Sequence, residues 1–320
     1  LLDDSASIQS LKRKRGHKNG GETRLYGYKE VKDALDLVLT VPFYKEFELE
    51  EGISITYYEA GHILGAGSVI ISIFEDGETK RIGFTGDLGP DNSAIVVDPR
   101  PMDRLDYLIC ESTYGNRLHK DKESAEAILL KHIQETCVDF PGRLIIPAFS
   151  IGRTQSILFT LNKLNKQGKL PNIRIINDSP LAILGTRIHD ECKTYLNKAT
   201  QEFYEEYDTL FEFKQLFTIE DDEDKEELKN YSAASVIVSS AGMMEGGRIQ
   251  QHIAANLQNP MCRILVAGFC APGTVGYDLL HNRGTIRMKG ELRNVFASVE
   301  STDVLSAHPD SKGLLAYVKA

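Results

Sequence analysis

At 320 residues the chain exceeds the roughly 150 that one typical domain needs, and its 42% hydrophobic content is ordinary for a chain with a buried core. That composition excludes disorder, collagen and fibre, and no apolar run approaches the roughly 18 residues that would span a bilayer. With 37 basic against 46 acidic residues the net charge is -9, which argues against nucleic-acid binding by bulk electrostatics and confines any phosphate chemistry to a local site.

Five cysteines, Cys110, Cys137, Cys192, Cys262 and Cys270, are odd in number and show no C-x-x-C spacing. Neither a disulfide frame nor a thiolate metal site is expected, and a reducing, cytoplasmic setting follows. The chain opens Leu1-Leu2-Asp3 without Met and without a signal-type segment. It is read as a piece excised from a longer polypeptide.

In chain order, residues 12–18 (KRKRGHK) are expected as an exposed basic loop, with contact to a polyanion as the alternative. Next, Ala60-Gly61-His62-Ile63-Leu64-Gly65 sets one imidazole among glycines, so the ring is presented in a turn rather than packed. Residues 68–74 and 80–84 are β-branched runs joined through Asp76-Gly77, the signature of an antiparallel hairpin. The second strand runs into Thr85-Gly86-Asp87-Leu88-Gly89, where a carboxylate between glycines suits an oxygen ligand to a metal. Singly, each of these turns also reads as an ordinary loop.

After about Gly115 short apolar strands alternate with amphipathic helices. Residues 143–149 precede Ile157, Leu158, Leu161 and Leu164 at helical spacing, and residues 173–176 precede Ser179-Pro180, an N-cap with Pro at the first helical position. Residues 220–227 (EDDEDKEE) are a solvated loop or helix face without chemistry. Residues 236–238 lead into a Gly-rich turn, and 264–267 repeat the plan. In that turn Ser240, Gly242, Gly246 and Gly247 read either as a backbone cradle for phosphate, with Arg248 adding charge, or as tight strand-to-helix packing. It is not a Walker A loop. Arg117 and Arg153 lie in comparable turns after strands and share both readings.

The ordered set of His62 in its AGH turn, Asp87 in TGDLG, Glu111 in CESTYGNR and His308 in LSAHPD resembles the metallo-β-lactamase fold with a β-CASP insertion. That family is typified by the mRNA cleavage and polyadenylation endonuclease and its bacterial and archaeal relatives. Asp178-Ser179-Pro180 and residues 239–248 (SSAGMMEGGR) also look like family blocks, so the likeness covers essentially the whole chain.

The resemblance implies an α/β fold: a partial αββα sandwich from residues 1–115 and 284–320, interrupted by an inserted α/β domain with a mostly parallel sheet at 116–283. It implies two Zn2+ ions in an intact parent, His62 as a ligand and Asp87 as the carboxylate bridging the pair. Glu111 and His308 are implied beside the scissile phosphate, the histidine supplying a proton to the departing oxygen under the influence of the carboxylate. Arg117, Arg153, Ser240, Gly242, Gly246, Gly247 and Arg248 are the candidates for contact with substrate.

The family's His-x-His-x-Asp-His segment has no counterpart in these 320 residues and is expected before Leu1. The family's last histidine motif is expected beyond Ala320. Zinc is therefore expected to be weak or absent in this piece, and the piece inactive. The preferred reading is part of a metal-dependent RNA hydrolase acting as endonuclease, 5′-exonuclease or both, with DNA left open. It works away from membranes, as a homo-oligomer or within an RNA-processing complex. A non-catalytic scaffold subunit and, behind it, a small-molecule hydrolase of the same superfamily stand as alternatives.

Overall fold

The computed structural model describes residues 2–3, 5–6, 9, 25–120, 123–282 and 284–320. The basic run at 12–18 lies outside them. Helix α1 (Tyr28–Leu35) leads into a five-stranded sheet in the order β1 (Phe47–Glu50), β2 (Ile53–Glu59), β3 (Gly67–Glu75), β4 (Glu78–Phe84) and β5 (Tyr107–Ile109). The expected hairpin is β3–β4. Asp76 and Gly77 both adopt the left-handed backbone that a two-residue turn of this hand requires (φ 53° and 83°). The first three pairings are antiparallel and β5 joins β4 in parallel.

Register sorts the faces of this sheet. Ile55 opposes Ile71 and Ile71 opposes Ile82, while Val69 opposes Phe84 and Phe84 pairs with Ile109. One face is thus apolar across four strands, yet none of these side chains is fully buried. On the opposite face Ser68 and Ile70 are buried.

The rest of the chain builds a six-stranded, all-parallel sheet in the order β13-β10-β6-β9-β7-β8. Its units are α2 (Ala125–Ile133), β6 (Arg143–Pro147), α3 (Arg153–Lys166), β7 (Arg174–Asp178), α4 (Pro180–Glu191), α5 (Lys198–Tyr207), β8 (Leu216–Thr218), α6 (Asp222–Asn230), β9 (Ser235–Ser239), α7 (Ile249–Asn256), β10 (Arg263–Val266), α8 (Val275–His281), the hairpin β11 (Thr285–Met288) and β12 (Glu291–Asn294), and β13 (Ser298–Ser301). Helix α9 (Ser311–Lys319) closes the order and packs Leu314 against Ala60 and Leu88.

Both faces of the parallel sheet are covered, which is why its strands read as continuous apolar runs. Leu144, Ile146, Val236, Val238 and Leu265 point to one side, where Leu129, Ile133, Ile157, Leu158, Leu161 and Leu164 of α2 and α3 meet them. Ile145, Ile264 and Val266 point to the other, against Ile249, Ile253 and Leu279 of α7 and α8. Ser179 caps α4 by accepting from the Ala182 N–H, with Pro180 first in the helix. The acidic run forms the exposed helix α6, begun by Asp221.

β13 runs beside β10 with Val299 opposite Ile264, and Ile286 and Met288 of the hairpin sit in the core of the parallel sheet's α7 side. Residues 285–301 belong to the six-stranded part. A four-residue edge strand carries no local sign of which sheet it will join.

Candidate active site

Two glycine turns bring the first pair of candidates together. A methyl group on Gly89 would lie 1.8 Å from the Gly61 carbonyl oxygen, so the turns carrying His62 and Asp87 cross at van der Waals limits. Gly61 itself is left-handed (φ 69°), and the Gly89 N–H donates to the Ala60 carbonyl at 2.7 Å. His62 Nε2 and Asp87 Oδ2 end 3.9 Å apart. Nδ1 of His62 donates to the Ala307 carbonyl at 2.9 Å, which fixes the tautomer and leaves the Nε2 lone pair facing Asp87. Burial holds the His62 pKa below its ordinary value, so the ring is neutral and able to ligate near pH 7.

His308 arrives from the far end of the chain. Its ring centroid lies 4.5 Å from that of His62. Its Nδ1 lies 3.0 Å from Glu111 Oε2 and 3.2 Å from Oε1. Burial would push the Glu111 carboxyl up, but hydrogen bonds from His308, Thr113 and the Leu88 N–H outweigh it and hold the group below the usual range. Glu111 is therefore an anion anchoring one side of the imidazole.

Ligand atoms of His62, Asp87 and His308 all lie within 4.8 Å of one another, and this is the one such group of three among the described residues. Two imidazoles and a carboxylate are the donor chemistry of a zinc-type site with open positions. The described residues thus supply three donors that fit a divalent cation.

A cleft of about 1230 Å³ opens beside this group, lined by Glu59, His62, Arg100, His119, Arg153 and Ser306 among others. Of the residues expected to touch substrate, Arg153 alone lines it. Arg153 is buried, donates to the Ala267 carbonyl and keeps an Nε without a partner. Arg117 is exposed, its guanidinium 4.5 Å from the centre of the Tyr114 ring, which in turn stands 6.3 Å from the His308 ring.

In the Gly-rich turn the arginine is paired within the chain. Arg248 Nη1 bonds Asp178 Oδ1 at 2.5 Å and His252 Nε2 bonds Asp178 Oδ2 at 2.7 Å, so this guanidinium is engaged by a buried carboxylate. A Cβ on Gly247 would sit 2.1 Å from the Ser240 carbonyl oxygen and one on Gly242 3.1 Å from the Phe149 ring, whereas Gly246 faces open space. Ser240 Oγ is 2.7 Å from Ser179 Oγ. Gly242 and Gly247 are therefore closely packed positions.

Sequence reasoning missed His119. Its Nε2 is 3.0 Å from the His308 carbonyl oxygen and its ring packs edge-on against Tyr114 at 5.0 Å. The available signal was an imidazole in the same segment as Glu111.

Comparison with known proteins follows the geometry. Residues 154–279 match the family model described as Beta-Casp domain. An RNase J-like protein of Methanocaldococcus jannaschii is 30% identical over 93% of this chain and 68% of its own length. A ribonuclease of Thermus thermophilus is 26% identical over 92% and 66%. Integrator complex subunit 11 of Gallus gallus is 26% identical over the whole chain and half of its own. The chain spans about half to two thirds of these relatives.

Proposed function

The chain belongs to the β-CASP family of RNA-processing nucleases built on the metallo-β-lactamase fold, and from that premise we propose that it carries the reaction centre of a metal-dependent phosphodiesterase acting on RNA. One observation carries this reading: a carboxylate-anchored imidazole, His308 on Glu111, stands against the donor pair His62 and Asp87. His62 and Asp87 hold the cation, with zinc the element that suits the donors. When bound, the cation supplies Lewis-acid polarisation of water and of the phosphoryl oxygen.

The chain's own residues do the rest. Glu111 accepts the Nδ1–H of His308, which orients the ring. His308 then delivers that proton from Nε2 to the departing oxygen. Arg153, buried in the cleft with an Nε that has no hydrogen-bond partner, pairs with a substrate phosphate. Arg117 and the open backbone at Gly246 offer further contacts. With two donors, His62 and Asp87, from the described residues, where a catalytic zinc takes about three, the 320-residue chain alone holds metal weakly.

A second reading rests on the 4.8 Å grouping: His308 is a third ligand rather than a proton donor. His308→Ala in the full-length protein separates the two. As a proton donor, its loss leaves metal content and RNA binding intact and slows cleavage roughly 10²- to 10⁴-fold. Zinc lost in proportion to activity identifies a ligand instead. No metal and no cleavage in the wild-type protein refutes both and favours the scaffold alternative.

RNA is the substrate supported by the names of the relatives, among them a ribonuclease and an RNase J-like protein. A setting away from membranes fits the finding that no helix among the described residues is long and apolar enough to cross one. A cytoplasmic location fits five free cysteines. Work within a complex is the natural extension of the likeness to an Integrator subunit.

A further inference from the structure

We infer that His119 is a positioning residue that sets the direction of the His308 imidazole by gripping the main chain of the same residue. The inference rests on the reading of His308 as proton donor, and the first arm of its test requires neither metal nor RNA.

Four links stitch the segment after Glu111 to the loop that carries His308. The His119 N–H donates to Asp310 Oδ2 at 3.2 Å, the Lys120 N–H to Asp303 Oδ2 at 2.6 Å, and the Ser311 N–H to the Arg117 carbonyl at 3.1 Å. These three tie the flanks of the loop. The fourth alone reaches His308: His119 Nε2 lies 3.0 Å from its carbonyl oxygen. A carbonyl can only accept, so Nε2 carries the hydrogen. The ring that donates it is itself packed edge-on to Tyr114 at 5.0 Å.

His308 is therefore fastened twice, its backbone by His119 and its ring by Glu111, both from residues 111–119. With both fastened, the imidazole has one direction relative to His62 and Asp87. With the His119 bond lost, the His308 carbonyl retains the Ser306 hydroxyl, which donates to it at 3.2 Å and accepts from the His308 N–H at 3.2 Å, both bonds lying within a turn that can shift as a unit. His119 reaches none of the reacting groups itself. It acts through geometry, where a displacement of the order of 1 Å costs about 10²-fold in rate.

The test compares His119→Leu with His119→Gln in the 320-residue chain, labelled with 15N-histidine and kept metal-free with chelator, the His308 ring signals being assigned by their loss in His308→Ala. Leucine fills the space without a donor, whereas the glutamine amide can donate to the same carbonyl. The expected result is a His308 Nδ1 signal displaced from its hydrogen-bonded position in the leucine variant and restored in the glutamine variant, at an unchanged unfolding midpoint. In the full-length protein, kcat on RNA falls about 10²-fold in the first with KM unchanged and recovers in the second.

An unmoved His308 signal in His119→Leu overturns the inference, and so does a glutamine variant as disturbed as the leucine one. Should the leucine variant fail to fold, the glutamine variant decides: a retained signal supports the inference and a displaced one overturns it. A wild-type protein that cuts no RNA refutes the functional reading, while the resonance comparison still judges the positioning.

Discussion

Glu111 and His308 work as one unit because the imidazole helps hold the carboxylate charged and the carboxylate keeps the ring turned. Their losses in rate should therefore not multiply. Glu111→Gln and His308→Ala each slow cleavage by the full-length protein, and the double variant is expected to be little worse than the worse single. Strictly multiplicative rate losses would mean that the two act separately. At the same scale Asp190, on α4, is pushed up to about 6 by burial and then by Glu212, against the pull of Lys193. The native state thus binds a proton more tightly than the unfolded chain does, and stability falls as pH rises from about 4 through about 6. Asp190→Asn should raise stability at pH 7–8 by about 1 kcal/mol once solvent screening is allowed for, and by almost nothing at pH 4. Thermal unfolding at the two pH values checks this. An equal gain at both would assign the effect to something other than ionisation.

At the scale of elements, what was legible in sequence was what neighbouring residues decide among themselves. Asp76-Gly77 marked the hairpin because only a left-handed pair makes that turn, and Ser179-Pro180 marked the start of α4 because a hydroxyl cap and a fixed φ suit a helix N-terminus. The unread features depend on partners far along the chain: β13 joining β10, Arg248 spent on Asp178 and His252, and His119 bonded to His308. No local pattern encodes those meetings. The crossing of the two glycine turns lies between these cases, since the glycines were visible and their contact was not. Gly89→Ala should disturb it most, because a methyl group there has nowhere to go. A loss of roughly 3 kcal/mol or more in unfolding free energy is expected, measured by denaturant titration, whereas Gly77→Ala, at a position with open space, costs only the strain of its turn. Equal losses would show that the crossing does not constrain the site.

For the whole molecule, the arrangement is a half-covered, mostly antiparallel sheet that carries His62, Asp87 and Glu111 and a fully covered parallel sheet that walls the cleft from the other side and leads through β13 to His308. Arg153, first residue of α3, lies in that wall, and Gly152 packs against Ile63 next to His62, so the two parts meet at the reaction centre. The apolar face formed by Ile55, Val69, Ile71, Ile82 and Phe84 remains partly or largely exposed in the chain. A face of this character matches one layer of the sandwich that the family fold implies. The central claim is that His62 and Asp87 hold a cation used to cut RNA, and the most direct measurement is metal content together with cleavage for two variants of the full-length protein, Asp87→Ala and Asp222→Ala. Asp222 is fully exposed on α6 and has no duty at the site. The account predicts that Asp87→Ala loses both metal and cleavage while Asp222→Ala keeps both. Retention of metal and activity in Asp87→Ala, or equal losses in the two variants, would contradict it.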